Sequence, residues 1–130
     1  MSKALIFLVD DDPVYGETFK RILEVKKYSN VELYGSAEDC VSNLNKKPSL
    51  IILDFSLNGM NGLDAVRTIK DKLPKVKMVI LTSLNPDKDL ESKCYEAGVK
   101  GFFHKNAEGS EKLLEWMNSN MSSGFFSIFN

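Results

Sequence analysis

Four apolar runs in this chain each end on residues able to handle a phosphoryl group. Asp10 and Asp11 follow Leu5 to Val9, Asp54 follows Leu50 to Leu53, Thr82 follows Met78 to Leu81, and Lys105 follows Val99 to His104. Carboxylates gathered at one place repel, by about 3 kcal/mol for two charges about 5 Å apart at an effective dielectric near 20, so a cation has to join them. Hard oxygen ligands at a partly open site suit Mg2+, with Mn2+ as the alternative ion, because Mg2+ takes one or two protein carboxylates and keeps waters that a phosphate can displace. An ionised Asp attacks phosphorus without a general base, and carboxylates form aspartyl-phosphates. The divalent ion, the Lys105 ammonium and the Thr82 hydroxyl would each offer a partner to the equatorial oxygens of a transferring phosphoryl group.

The elements that must position these residues follow from the apolar pattern. Strands are predicted at about 3–9, 30–35, 50–54, 76–81 and 99–103, with a helix after each. Short β-branched runs alternating with longer helical patterns predict an α/β protein with a parallel sheet covered on both faces, and such sheets collect ligands beyond the carboxyl ends of their strands. The first helix should start at Asp12 as N-cap with Pro13 in its first turn, placing Tyr15, Phe19, Ile22 and Leu23 on one face. Ser36 and Asp39 read as a capping box for the second, with Ala37, Val41 and Leu44 as its buried stripe and Lys46-Lys47-Pro48 as its stop. Leu63, Val66, Ile69 and Leu73 mark the third helix, Leu90, Cys94 and Ala97 the fourth, which ends at Gly98, and Leu113, Leu114, Met117 and Met121 the fifth.

Composition narrows the function classes. With 130 residues and 43% apolar content the chain is expected to form one domain needing neither disulfide nor metal to fold. Seventeen basic and 18 acidic residues are mixed, and no Lys or Arg follows Lys112, so direct nucleic-acid binding is not expected. Cys40 and Cys94 lack a zinc-like or CxxC spacing and read as reduced packing thiols. No apolar run approaches the roughly 18 residues of a membrane span and no signal-peptide pattern opens the chain, so the expected location is the cytoplasm.

The runs Leu8-Val9-Asp10-Asp11-Asp12-Pro13, Leu50-Ile51-Ile52-Leu53-Asp54, Leu81-Thr82-Ser83 and Gly101-Phe102-Phe103-His104-Lys105, in that order and spacing, resemble the response-regulator receiver domain over nearly the whole chain. The resemblance implies a flavodoxin-like (βα)5 three-layer sandwich with a five-stranded sheet in the order 2-1-3-4-5. It implies Asp54 as phosphoacceptor, with Asp11, Asp54 and the Ser56 backbone carbonyl as Mg2+ ligands and Asp10 acting mainly through water. Thr82 would close on the phosphoryl group, Lys105 would pair with it, and Phe102 would be the aromatic switch, here without a phenol oxygen. The implied donor is a histidine kinase or histidine phosphotransfer protein, and the implied output face combines helix 4, strand 5 and helix 5.

Two departures accompany the resemblance. Asn58 replaces a loop proline, although Asn58-Gly59 and Asn61-Gly62 retain turn chemistry. Asn106 replaces the proline that commonly follows the lysine, and a trans Lys105-Asn106 peptide is expected because a cis one costs about 3 to 4 kcal/mol. The receiver is expected to span 1–122, with an apolar tail over 123–130 that folds back or is the stub of a longer chain. The rival functions are a phosphate-independent adaptor and an aspartyl-phosphate phosphohydrolase; the haloacid-dehalogenase-like pattern of the latter needs a second Asp where Ser56 stands. Ser56, Ser83 and Leu84 would flank the path of the hydrolytic water.

Overall fold

The computed structural model describes residues 4–55, 61–83, 85 and 87–121. Ser56, Asn58, Gly59, Leu84 and the tail over 123–130 lie outside the described residues. The strands are β1 (Ile6–Val9), β2 (Val31–Tyr34), β3 (Leu50–Leu53), β4 (Lys77–Thr82) and β5 (Phe102–His104). The helices are α1 (Pro13–Val25), α2 (Ala37–Ser42), α3 (Gly62–Lys72), α4 (Lys88–Ala97) and α5 (Ala107–Asn120). All pairings are parallel and the sheet order is β2-β1-β3-β4-β5, as the resemblance implied.

Strand periodicity sorts the core into two layers. Ile6, Leu8, Leu50, Ile52, Val79 and Leu81 pack with Phe19 and Leu23 of α1 and Leu113 and Met117 of α5. Phe7, Val9, Ile51, Leu53, Met78 and Ile80 face the opposite way, onto Cys40, Val66, Ile69 and Cys94 of α2, α3 and α4. A sheet buried on both faces explains why β1 and β3 read as unbroken apolar runs, every residue of which is buried.

Caps fix where the helices start. The Asp12 carboxylate accepts from the Val14 and Tyr15 amides, with Pro13 in the first turn, as expected. Asn61 accepts from Asp64 N to open α3, and Ser36 accepts from Asp39 N to open α2. Asn106, trans to Lys105, caps α5 by accepting from Gly109 N at 2.7 Å. Proline could not make that bond, so this departure from the family pattern has a local use.

Two expectations need correction. The second helix does not run to Lys46: α2 ends at Ser42 and passes into a 3₁₀ turn over Leu44–Lys46, with Lys47 left-handed at φ 57°. Cys40 is fully buried and Val41 only partly, packed against the same layer, so the stripe is Ala37, Cys40 and Leu44 with Val41 at its edge. The fifth strand starts at Phe102 rather than 99, because Gly98 at φ 114° and the Val99 N–H, which donates to Cys94 O, close α4 first. No helix of the described residues is long and apolar enough to cross a membrane.

Candidate phosphoryl site

Register brings the chemistry to one edge. Asp10 and Asp54 continue the ladder one residue past β1 and β3: Asp10 N donates to Tyr34 O, and Asp54 N to Val9 O. Lys105 follows β5, and its N–H donates to Thr82 O at 3.0 Å. The alternation that sends Leu8, Ile52 and Phe103 toward α1 and α5 also assigns Asp10, Asp54 and Lys105 to that side. Thr82 and Phe102 share the parity of Ile80 and belong to the α4 side.

The side chains meet accordingly. Lys105 Nζ lies 2.7 Å from Asp10 Oδ2 and 2.9 Å from Asp54 Oδ2, with side-chain exposures of 11% for the lysine and 2% for each acid. Asp10 also accepts from Asp12 N through Oδ1. Burial opposes charge on Lys105, but the hydrogen bonds to Asp10 and Asp54 outweigh it and hold the ammonium above its ordinary pKa. Burial also dominates at Asp10: its carboxyl stays above the usual range although Lys105 and the Asp12 amide pull it down.

Oxygens of Asp10, Asp11 and Asp54 all lie within 4.8 Å of one another, with Asp11 exposed and the other two buried. Among the described residues, three carboxylates against one ammonium leave the pocket short of positive charge. An all-oxygen donor set with one exposed member fits a hydrated, hard divalent cation. Both Asp10 oxygens already accept hydrogen bonds, which suits a carboxylate acting through water rather than as a direct ligand.

The remaining expected site residues are arranged around this centre. Thr82 is buried at the end of β4, paired in register with His104. The Phe102 ring is half-buried between Phe55, 6.0 Å away, and Tyr95 of α4, 5.5 Å away, both edge-to-face. His104 is exposed. Ser56 lies outside the described residues.

Two neighbours escaped the sequence reading. Phe55 directly follows Asp54 and presses its ring against Gly62, where a Cβ would collide with it. Tyr15, read as one more member of an apolar helix stripe, has the Lys105 ammonium 4.5 Å from its ring centroid. The available signal was its place in the first turn of a helix that begins beside the acid pair.

The family model of the response regulator receiver domain matches residues 6–118. Among curated proteins, response regulator protein VraR of Staphylococcus epidermidis is 28% identical over 110 residues, covering 82% of this chain and 51% of that protein. Transcriptional regulatory protein DegU of Brevibacillus brevis is 28% identical over 116 residues, covering 88% and 48%. The chain thus spans about half the length of these curated relatives. A CheY-like receiver domain protein from Methanospirillum hungatei superposes with a TM-score of 0.82 at 24% identity, covering 91% of this chain and 93% of that one.

Proposed function

This chain belongs to the response regulator receiver family, whose members are phosphorylation-controlled parts of two-component signalling, and on that premise we propose that Asp54 is its phosphoacceptor. The observation that supports this most directly is the bridge from Lys105 to both Asp54 and Asp10, formed across 51 residues of sequence between Lys105 and Asp54. The donor is phosphohistidine on a sensor histidine kinase or a histidine phosphotransfer protein. An Asp54 carboxylate oxygen forms the new bond to phosphorus while the phosphorus–nitrogen bond breaks, and its electron pair leaves with the imidazole. Bound Mg2+ would supply charge neutralisation for the phosphoryl oxygens; Asp11, Asp54 and the Ser56 carbonyl would hold it, with Asp10 acting mainly through water.

The chain's own groups then do three things. Lys105 moves from a carboxylate oxygen to a phosphoryl oxygen and keeps its charge there, favoured by its raised pKa. Thr82 donates its hydroxyl to the same group from the β4 end. That movement opens room on the α4 side, where Phe102 turns inward and changes the surface formed by α4, β5 and α5, the face offered to an output partner. Tyr95, 44% exposed and against Phe102, is the part of that face most directly altered. Moving such a switch from about 1:99 to 99:1 takes about 5.5 kcal/mol of differential contact, within reach of several charge-assisted hydrogen bonds. The site of action is the cytoplasm, with no direct part for nucleic acid or membrane.

Titration with beryllofluoride, with and without Mg2+, tests this reading. Amide resonances near Thr82 and Phe102 should shift in the wild type with Mg2+ and stay still in Asp54→Asn. Equal responses from the two proteins would remove Asp54 from its assigned role, and equal responses with and without the ion would remove Mg2+ from its own.

A further inference from the structure

The Lys105 side chain is long and flexible, and holding it in one geometry costs rotamer freedom. Of its two carboxylate partners, Asp10 at 2.7 Å is constant, but the Asp54 oxygen at 2.9 Å is the group that phosphorylation changes. The ring of Tyr15 is a third partner and a chemically constant one. Its centroid lies 4.5 Å from Nζ, the arrangement in which the negative face of an aromatic ring attracts a cation.

That ring is itself held in place. It stacks on Phe19 with centroids 6.1 Å apart and planes 6° from parallel, and Phe19 is buried in the α1–α5 layer. The Tyr15 amide donates to the Asp12 cap, which ties the ring's backbone to the acid pair. The hydroxyl is buried without a well-formed hydrogen bond, although Ser110 of α5 partly offsets the rise that burial imposes on the phenol. The contact with Lys105 therefore runs through the ring face, not through the oxygen.

We propose that Tyr15 is a positioning residue for the phosphoryl site: its ring face seats the Lys105 ammonium beside Asp54 and keeps it there while the oxygen it pairs with changes. The proposal rests on Asp54 being the phosphoacceptor. It assigns the ring, and not the hydroxyl, to the task.

Tyr15→Phe and Tyr15→Leu separate the two, with folding of each checked by thermal melting. In metal-free protein carrying 13C-lysine, the Lys105 ε-methylene, identified by its loss in Lys105→Arg, should show an upfield ring-current shift. Tyr15→Phe should keep the shift and Tyr15→Leu should lose it. Labelling by acetyl phosphate with Mg2+ should slow about fivefold in Tyr15→Leu, equivalent to about 1 kcal/mol, and stay within about twofold of wild type in Tyr15→Phe. A Tyr15→Leu protein that keeps either the shift or the rate overturns the proposal, as does a Tyr15→Phe protein that loses them. Failure of the wild type to be labelled overturns instead the phosphoacceptor reading, and the lysine shift then still decides whether the ring seats the ammonium.

Discussion

Replacing Lys105 by Met removes the one ammonium seen between two carboxylates whose side chains are each 2% exposed. The carboxylate oxygens left behind lie within 4.8 Å of one another, so Asp10 and Asp54 would repel by about 3.5 kcal/mol at an effective dielectric near 20. Breaking one side of a buried ion pair generally costs about 3 to 5 kcal/mol, in agreement with that figure. Part of the loss will be relieved as Asp10, already above the usual carboxyl range, takes up a proton. We expect Lys105→Met to lose about 3 kcal/mol in urea at pH 7 with a chelator present, or a melting temperature lower by about 10 °C for a chain of this size. Two additions should restore much of it. A divalent cation replaces the missing charge, and acid neutralises the pair: a raised carboxyl pKa means stability is present at low pH and lost as pH rises through the folded value. A loss under about 1 kcal/mol, unchanged by Mg2+ and by lowering the pH to about 5, would show that the bridge does not hold the acids together.

Other perturbations read separate parts of the design. Asp11→Asn should weaken Mg2+ binding at least about tenfold by calorimetry while leaving urea stability within about 0.5 kcal/mol, since Asp11 is an exposed donor rather than a packed one. Burial pushes the Cys40 thiol from 9.0 up to about 12. The unfolded chain therefore releases this proton first, and stability falls by roughly 1.4 kcal/mol per pH unit between those values. Urea melts of Cys40→Ala should gain on wild type by that slope above pH 9, and a constant difference between the two proteins would contradict it. Asn106→Ala should cost about 1 kcal/mol through loss of the α5 cap. Gly109→Ala should cost more, because its new Cβ would run into the His104 backbone and push α5 away from the strand that carries Lys105; equal melting temperatures for these two variants would refute that ordering.

Much of the fold was legible because burial on both sheet faces leaves a strong local mark. The runs Leu5 to Val9 and Leu50 to Leu53 contain no polar residue, and each is followed by an acid that only a site would keep there. Caps were equally local: Asp12 and Ser36 act on amides two or three residues away, while Asn61, read only as part of a turn, caps α3 in the same way. Errors fell at helix ends, where a change of backbone conformation cuts a side-chain pattern short. Ala37, Cys40 and Leu44 fit one helical face as well as Ala37, Val41 and Leu44 do, and spacing alone reports neither that choice nor the tighter turn that follows Ser42.

By itself the order of residues determined which groups would reach the carboxyl edge of the sheet, since strand parity and strand ends are properties of short segments. It also determined the charge imbalance, three acids against one lysine. Only the tertiary structure decided how that imbalance is met: Lys105 divides itself between Asp10 and Asp54, and the ring of Tyr15 lies under its ammonium. These partners are separated by 51 to 95 positions in the chain, so their distances depend on the pairing of β1, β3, β4 and β5 and on how α1 settles against the sheet. An aromatic residue on a helix face looks the same in sequence whether it fills a core or seats a cation, because the difference is made by what the rest of the fold brings to it.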